Sequence, residues 1–357
     1  MLLRRLRSAP TPLLALADAT VTGLWTFTGL RRPRPPAAHD RTLTLVVAGR
    51  QVVAHDENVV ALTLSAADGS ALPGWHPGAH LDIQLPSGRV RQYSLCGDPG
   101  RLSEYRIAVR RIPNGGGGSV EVHDALQIGS LVTTGGPRNA FPLSVPGYGS
   151  PTRQLRFVAG GIGITPILPM LAMAERLDVD WSMIYVGRST ASIPFLDEVR
   201  RFGDRIEIRT DDVHGIPGAG DLLGECPSAT TVYACGPAEM ITAVRQRLVG
   251  RDDVELHFER FAAAPVVDGE PFTVTVASTG AEVSVAEDET LLAALRRAGV
   301  AASYSCQQGF CGACRVRVLN GVVQHRDTLL TTPERDSGMM LTCVSRAPAG
   351  EQLIVDL

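Results

Sequence analysis

Ser305-Cys-Gln-Gln-Gly-Phe-Cys-Gly-Ala-Cys314, answered near the carboxyl end by Leu341-Thr-Cys343, decides how this 357-residue chain is read. Cys306, Cys311, Cys314 and Cys343 stand at C-x4-C-x2-C-x28-C, three thiols from one tight loop and a fourth from a neighbouring strand. Four thiolates so spaced suit a 2Fe-2S cluster, which needs all of them to converge on a rhombic core. Gly309 and Gly312 let the loop wrap closely and turn N–H groups toward the sulfurs, stabilising the negative charge added on reduction. Structural zinc is the alternative, but four-cysteine zinc sites generally use two short knuckles, and here only Cys311 and Cys314 are two residues apart.

Outward from that loop, the chain has seven cysteines, an odd count with four in the last 52 residues. Metal ligation in a reducing compartment accounts for this better than a disulfide framework, so a cytoplasmic protein is expected. The 34 basic residues are all arginine. Without lysine there is neither a P-loop nor a Schiff base, since both need a side-chain amine. A net charge of -3 argues against a nucleic-acid binder. With 44% hydrophobic and 20% charged residues the chain is an ordinary globular protein. At roughly 150 residues per domain, its length predicts two or three compact units.

Four regions are predicted. Residues 1–38, with six arginines, one acid and the exit Arg31-Arg-Pro-Arg-Pro-Pro36, read as an extension and linker. Its apolar stretch, broken by Asp18, falls short of the ~20 residues a spanning helix needs, and a packed extension is favoured over peripheral membrane contact. Residues 39–150 alternate apolar and polar positions in short segments between glycine and proline turns, the pattern of an antiparallel barrel. Residues 151–264 alternate strands (154–159, 181–186, 205–209, 231–234, 255–258) with helices at 166–177 and 237–248, the layout of a parallel α/β sheet. Residues 265–357 carry strands at 272–277 and 281–285, a helix at 291–298 capped by Thr290 and stopped by Gly299, the cysteine loop, and Arg315–Leu319 leading into an Asn320-Gly321 hairpin turn. The fold class is thus multidomain, α/β plus β.

Two further clusters carry chemistry. Arg91-Gln-Tyr-Ser-Leu95 lies on a strand, and Gly115-Gly-Gly-Gly-Ser119 follows about twenty residues later. A flavin needs a wall against its ring, an arginine for its phosphate and a glycine turn whose N–H groups approach that phosphate. Arg91, Tyr93, Ser94, Gly117, Gly118 and Ser119 supply these groups; a hairpin tip is the plainer reading of the glycines. Ala159-Gly-Gly-Ile-Gly-Ile-Thr-Pro166 sits where a strand becomes a helix, so Gly160, Gly161 and Gly163 would let a pyrophosphate approach the helix N-terminus, tight packing being the alternative.

The cysteine loop resembles a plant-type ferredoxin, and the order of the pieces over about 41–357 resembles the phthalate dioxygenase reductase family, in which a ferredoxin is fused after flavin and nicotinamide domains. That resemblance implies an antiparallel flavin-binding β-barrel, a ferredoxin-reductase-like parallel α/β nucleotide domain and a C-terminal β-grasp ferredoxin. It implies FMN rather than FAD, and NADH rather than NADPH. It adds main-chain flavin contacts at Ala108, Val109 and Arg110, and Thr165 near the ring. Cys235 and Gly236, in Val232-Tyr-Ala-Cys-Gly-Pro-Ala-Glu-Met240, would border the nicotinamide, a buried inert cysteine being the alternative. Tyr185-Val-Gly-Arg-Ser189 resembles the segment beside the adenosine ribose, and Phe261 the aromatic against the flavin.

The implied activity is an oxidoreductase: NADH gives a hydride to FMN, and electrons leave singly through the 2Fe-2S cluster to a separate oxygenase, a Rieske-type dioxygenase or demethylase. A desaturase, a cytochrome or another monooxygenase are alternative recipients. A non-catalytic iron-sulfur binding or redox-sensing module is the alternative of another class. No side-chain acid or base is demanded, because the protein's task is positioning and redox tuning.

Overall fold

The computed structural model describes residues 42–56, 58–113, 117–144, 152–261, 266–304, 307–309, 312–327 and 329–357. The extension 1–38, Gly115, Gly116, Cys306 and Cys311 lie outside them.

The alternating segments form β1 (Leu43–Val52), β2 (Val59–Ala66), β3 (Ala79–Gln84), β4 (Val90–Ser94), β5 (Tyr105–Arg110), β6 (Leu131–Thr134) and β7 (Arg138–Asn139). The sheet runs β4-β3-β6-β1-β2-β5, with β7 on β3. Its two ends meet. Leu95 bridges Ile107 antiparallel, and the Cys96 N–H donates to the Arg106 carbonyl at 2.8 Å. The result is a barrel, filled by every second residue of its strands: Leu45 and Val47, Leu62 and Leu64, Leu81 and Ile83. Closure lays Arg91–Ser94 beside Ala108–Arg110.

The second sheet holds β8 (Gln154–Gly160), β9 (Asp180–Gly187), β10 (Ile206–Thr210), β11 (Thr230–Cys235) and β12 (Val254–Glu259), all parallel in the order β10-β9-β8-β11-β12. Covered on both faces, β8 and β11 are buried almost throughout. Strand order reverses between β8 and β11, which makes a crevice outside their carboxyl ends, the place where open α/β sheets bind ligands. Cys235 pairs with Ala159, so the turns leaving the two strands lie abreast. The helix expected from Pro166 begins at Ile164 and runs to Arg176, with the proline in its first turn, where no N–H is required. Pro237 is the N-cap of the helix Ala238–Arg247 rather than part of its first turn.

The third sheet, β14-β13-β17-β15-β16, is made of β13 (Phe272–Val276), β14 (Glu282–Val285), β15 (Arg315–Asn320), β16 (Met339–Leu341) and β17 (Gln352–Asp356), with β13 and β17 parallel. The helix Leu291–Arg297 starts at Thr290, whose Oγ1 accepts from the Ala293 N–H at 3.1 Å, and Gly299 ends it at φ 74°. The Asn320-Gly321 hairpin turn is not found. Asn320 is the last residue of β15, opposite Ile354, and the next strand to pair with β15, β16, begins only at Met339, too far on for a tight hairpin. Gly321 is at φ 107°, and a Cβ there would sit 2.6 Å from Leu353 Cδ2 and 2.8 Å from the Gln352 carbonyl, so the position requires glycine on both counts. It bends the chain over β17. Among the described residues no helix is long and apolar enough to cross a membrane.

Candidate cofactor sites

A cavity of about 230 Å³ opens where the barrel faces the parallel sheet. Arg91, Tyr93 and Ser94 line it from β4, and Ala108, Val109 and Arg110 from β5. Gly118 and Ser119 enter at the start of the helix Gly118–Ala125. Thr165 and Phe261 close it from the second sheet, and Gln307 and Gln308 reach it from the cysteine loop.

Local chemistry explains these positions. Gly117, at φ 76°, is the N-cap of the helix Gly118–Ala125, and no side chain caps that end. Its first turn is therefore open to an anion. A Cβ at Gly118 would meet Arg91 Nε at 2.7 Å, so only glycine lets the guanidinium lie across the helix start. The Ser119 hydroxyl accepts from the Ile112 N–H at 3.1 Å, and the Thr165 hydroxyl donates to the Ile162 carbonyl at 3.0 Å. Burial, then the neighbouring Arg188, push the Arg110 guanidinium down from its ordinary value, so two arginines approach each other at this edge.

The predicted nicotinamide residues are placed differently. Gly160, Gly161, Gly163, Cys235 and Gly236 do not line the cavity. A Cβ at Gly163 would stand 2.1 Å from the Cys235 carbonyl, and one at Gly160 3.4 Å from Gly236 Cα. These glycines are therefore required by the close approach of the turns after β8 and β11. Beneath them the Tyr185 hydroxyl, fully buried, lies 3.0 Å from the Gly161 carbonyl and 2.8 Å from that of Pro194. The Cys235 side chain is in the apolar core with Ala159 and Ile164, where burial holds its thiol well above the ordinary range.

Sequence reasoning passed over Arg260 and two further titratable residues of the cavity. Glu259, the last residue of β12, is buried there; desolvation raises its carboxyl to about 8 against the lowering effect of a Ser94 hydrogen bond. Its Oε2 has no hydrogen-bond partner. His80 is pushed down to about 4 by burial and Arg138, and its Nδ1 is also unpartnered. Only the position of Glu259 beside Phe261 could have drawn notice to it. A neutral carboxyl and a neutral imidazole beside Tyr93, Val109, Ile162 and Phe261 fit a planar heterocycle with polar edges at this part of the cavity.

At the cluster end, Arg315 pairs with Leu341, and this register brings the chain ends just outside β15 and β16 together. Cys314 Sγ and Cys343 Sγ are 3.2 Å apart, buried among Leu292, Leu330 and Leu341. Gly309 and Gly312 take φ 82° and 77°, as a tightly wrapped loop requires. Two thiols converging this way fit neighbouring ligands of one cluster.

Residues 274–348 match the 2Fe-2S iron-sulfur cluster binding domain. The chain is 38% identical over 308 residues to phenoxybenzoate dioxygenase subunit beta of Ectopseudomonas oleovorans, covering 84% of this chain and 93% of the relative. It is 38% identical to vanillate O-demethylase oxidoreductase of Pseudomonas sp. (strain HR199 / DSM 7063), covering 88% and 100%. The structure of phthalate dioxygenase reductase, described as modular for electron transfer from pyridine nucleotides to [2Fe-2S], superposes with a TM-score of 0.65 at 31% identity, covering 88% and 98%. Barrel, parallel sheet and cluster domain in this order define a flavin- and pyridine-nucleotide-dependent iron-sulfur oxidoreductase. The chain belongs to the phthalate dioxygenase reductase family, whose members are reductase components of oxygenase systems.

Proposed function

We propose that the chain takes electrons from NADH and passes them through FMN and a 2Fe-2S cluster to a separate terminal oxygenase in the cytoplasm, a Rieske-type dioxygenase or demethylase. One observation carries this reading: a single cavity is lined at once by the barrel, the parallel sheet and the cysteine loop. Functional boundaries at 39–150, 151–264 and 265–357 follow, with 1–38 as an appended segment.

When bound, a flavin supplies acceptance of a hydride with release of single electrons, and a 2Fe-2S cluster relays one electron at a time. Every other task falls to the protein. Arg91 and the helix start at Gly117, Gly118 and Ser119 hold a phosphate, by charge and by N–H groups. Tyr93, Ser94, Phe261, Thr165 and the main chain of Ala108–Arg110 orient a ring and exclude water. Glu259, neutral at pH 7, keeps a proton that it can donate to the ring edge. Arg110 and Arg188 offer charge to a dinucleotide, which the turns at Gly160–Gly163 and Cys235–Gly236 bound at the sheet crevice. Cys306, Cys311, Cys314 and Cys343 ligate iron. Phosphate recognition by one short helix start supports FMN over FAD, and NADH over NADPH rests on family resemblance.

The test is Cys343→Ser in the full chain. NADH should still bleach the bound flavin at an unchanged rate, while reduction of an iron-sulfur-level acceptor is lost. Equal retention of both, or extraction of a flavin other than FMN, refutes the corresponding part.

A further inference from the structure

We propose that Tyr304 is a docking pin that fixes the cysteine loop against the flavin barrel, and so acts as a positioning residue for electron exit; this rests on the function proposed above. Tyr304 stands two residues before Cys306. Its ring belongs to the apolar packing around Cys314 and Cys343, together with Leu292 and Leu341. Its other contacts reach outward. The Arg91 guanidinium of β4 lies 4.6 Å from the ring centroid, and the Arg91 Nη2 group donates to the Tyr304 hydroxyl. Arg296, on the helix Leu291–Arg297, lies 4.8 Å from the same centroid. Both guanidinium groups are within the ~6 Å over which a cation is drawn to an aromatic face. One side chain thus joins the core around two cluster ligands to the barrel strand that lines the cavity.

The surroundings show why a pin is needed. Barrel and cluster module face each other here across a hollow lined by Ser87–Arg91 on one side and by Gly299–Tyr304 and Arg296 on the other. Its walls mix Val90, Val300 and Ala302 with Ser87, Arg89 and Ser303, and among the described residues no buried apolar cluster spans barrel and cluster module, so a shared core does not set the spacing at this point. Arg91 also lines the cavity, so one residue connects flavin phosphate binding with module docking. Because a hydride carries two electrons and the cluster accepts one, the crossing is used twice per NADH, the partner removing each electron in turn. Any loosening of Tyr304 is felt at both passes.

The experiment uses the full-length holoenzyme in three variants: Tyr304→Leu, Tyr304→Phe and Arg296→Gln. Anaerobic stopped flow follows flavin bleaching by NADH and the later appearance of reduced cluster, and hydrogen exchange is read over residues 87–91 and 299–304. Tyr304→Leu should slow cluster reduction by about tenfold or more, as expected for misplacement of reacting partners, leave flavin bleaching unchanged, and raise exchange in both segments. Tyr304→Phe keeps the ring and should recover most of the rate. If Tyr304→Leu fails to hold a cluster, Arg296→Gln, which leaves the loop intact, must still show slower cluster reduction and faster exchange. Wild-type rates and exchange in these variants overturn the pin. A wild-type protein whose bound flavin is not bleached by NADH overturns the function instead, and the exchange data still decide the pin.

Discussion

The barrel meets the parallel sheet and the cluster module in two unlike ways. Toward the parallel sheet it shares one apolar core: Ala54, Val59 and Phe141 pack with Phe157, Ile167 and Tyr233. The backbones are stitched as well, Phe195 N–H donating to the Val53 carbonyl and Asp56 N–H to the Ala191 carbonyl, each at 3.0 Å. Arg106 and Glu198 add a two-pronged ion pair at 2.8 and 2.9 Å. Toward the cluster module a tyrosine stands between arginines and Gln307 and Gln308 line the cavity, while that module's apolar clusters, around Phe272 and Leu353 and around Cys314 and Cys343, are its own. The two sites that must hold a hydride donor and acceptor in register are built as one body. The site that hands electrons on rests on apolar clusters that hold no barrel residue.

The largest effect expected at the shared joint comes from Glu259. In the folded protein its carboxyl titrates at about 8, against an ordinary 4.5. Between those values the unfolded chain has lost the proton and the folded chain keeps it, so stability falls as pH rises through this window and levels off above it. At about 1.4 kcal/mol per unit the loss is on the order of 5 kcal/mol. Urea midpoints of flavin-free Glu259→Gln should lack this slope, and parallel curves for the two proteins would show that the carboxyl is not buried on folding. Phe141→Ala, which removes a ring packed edge-on to Tyr233 at 5.6 Å, should cost about 3–4 kcal/mol in a transition common to barrel and parallel sheet. The visible dichroism of the cluster should melt separately and unshifted; a joint shift would erase the contrast between the joints. Smallest is the Arg106 and Glu198 pair, about a third exposed on each side. A double-mutant cycle with Arg106→Met and Glu198→Gln should return about 1 kcal/mol of coupling, and a value near zero would leave the apolar core as the whole of the joint.

The same contrast governs what could be read from sequence. Short apolar segments between turns located β2 and β5, although both are buried more continuously than strict alternation, Val59–Leu62 and Ile107–Val109 being buried in succession. Cysteine spacing nominated four ligands, of which the described Cys314 and Cys343 come together at 3.2 Å, and the clustering of Arg91, Tyr93 and Ser94 with Gly118 and Ser119 anticipated one wall of the cavity. The helix Gly118–Ala125 was hidden by the glycine run before it, since glycine marks a turn whether or not a helix follows. Glu259, His80 and Tyr304 were not nominated because their chemistry arises from distant partners: Ser94, Arg138 and Arg91 belong to other elements. Gly160 and Gly163 were chosen for an approach to pyrophosphate. The structure adds a nearer cause, the backbone of Cys235 and Gly236 pressed against them.

The ends of the barrel sheet meet at Leu95 and Ile107, immediately beyond the residues of β4 and β5 that face the cavity. A chain whose barrel has not yet zipped there presents two separate halves of a binding wall. Occupancy by a prosthetic group would therefore favour the zipped form by mass action, acting as a clasp on the last stave, and its removal should loosen the barrel first along that line.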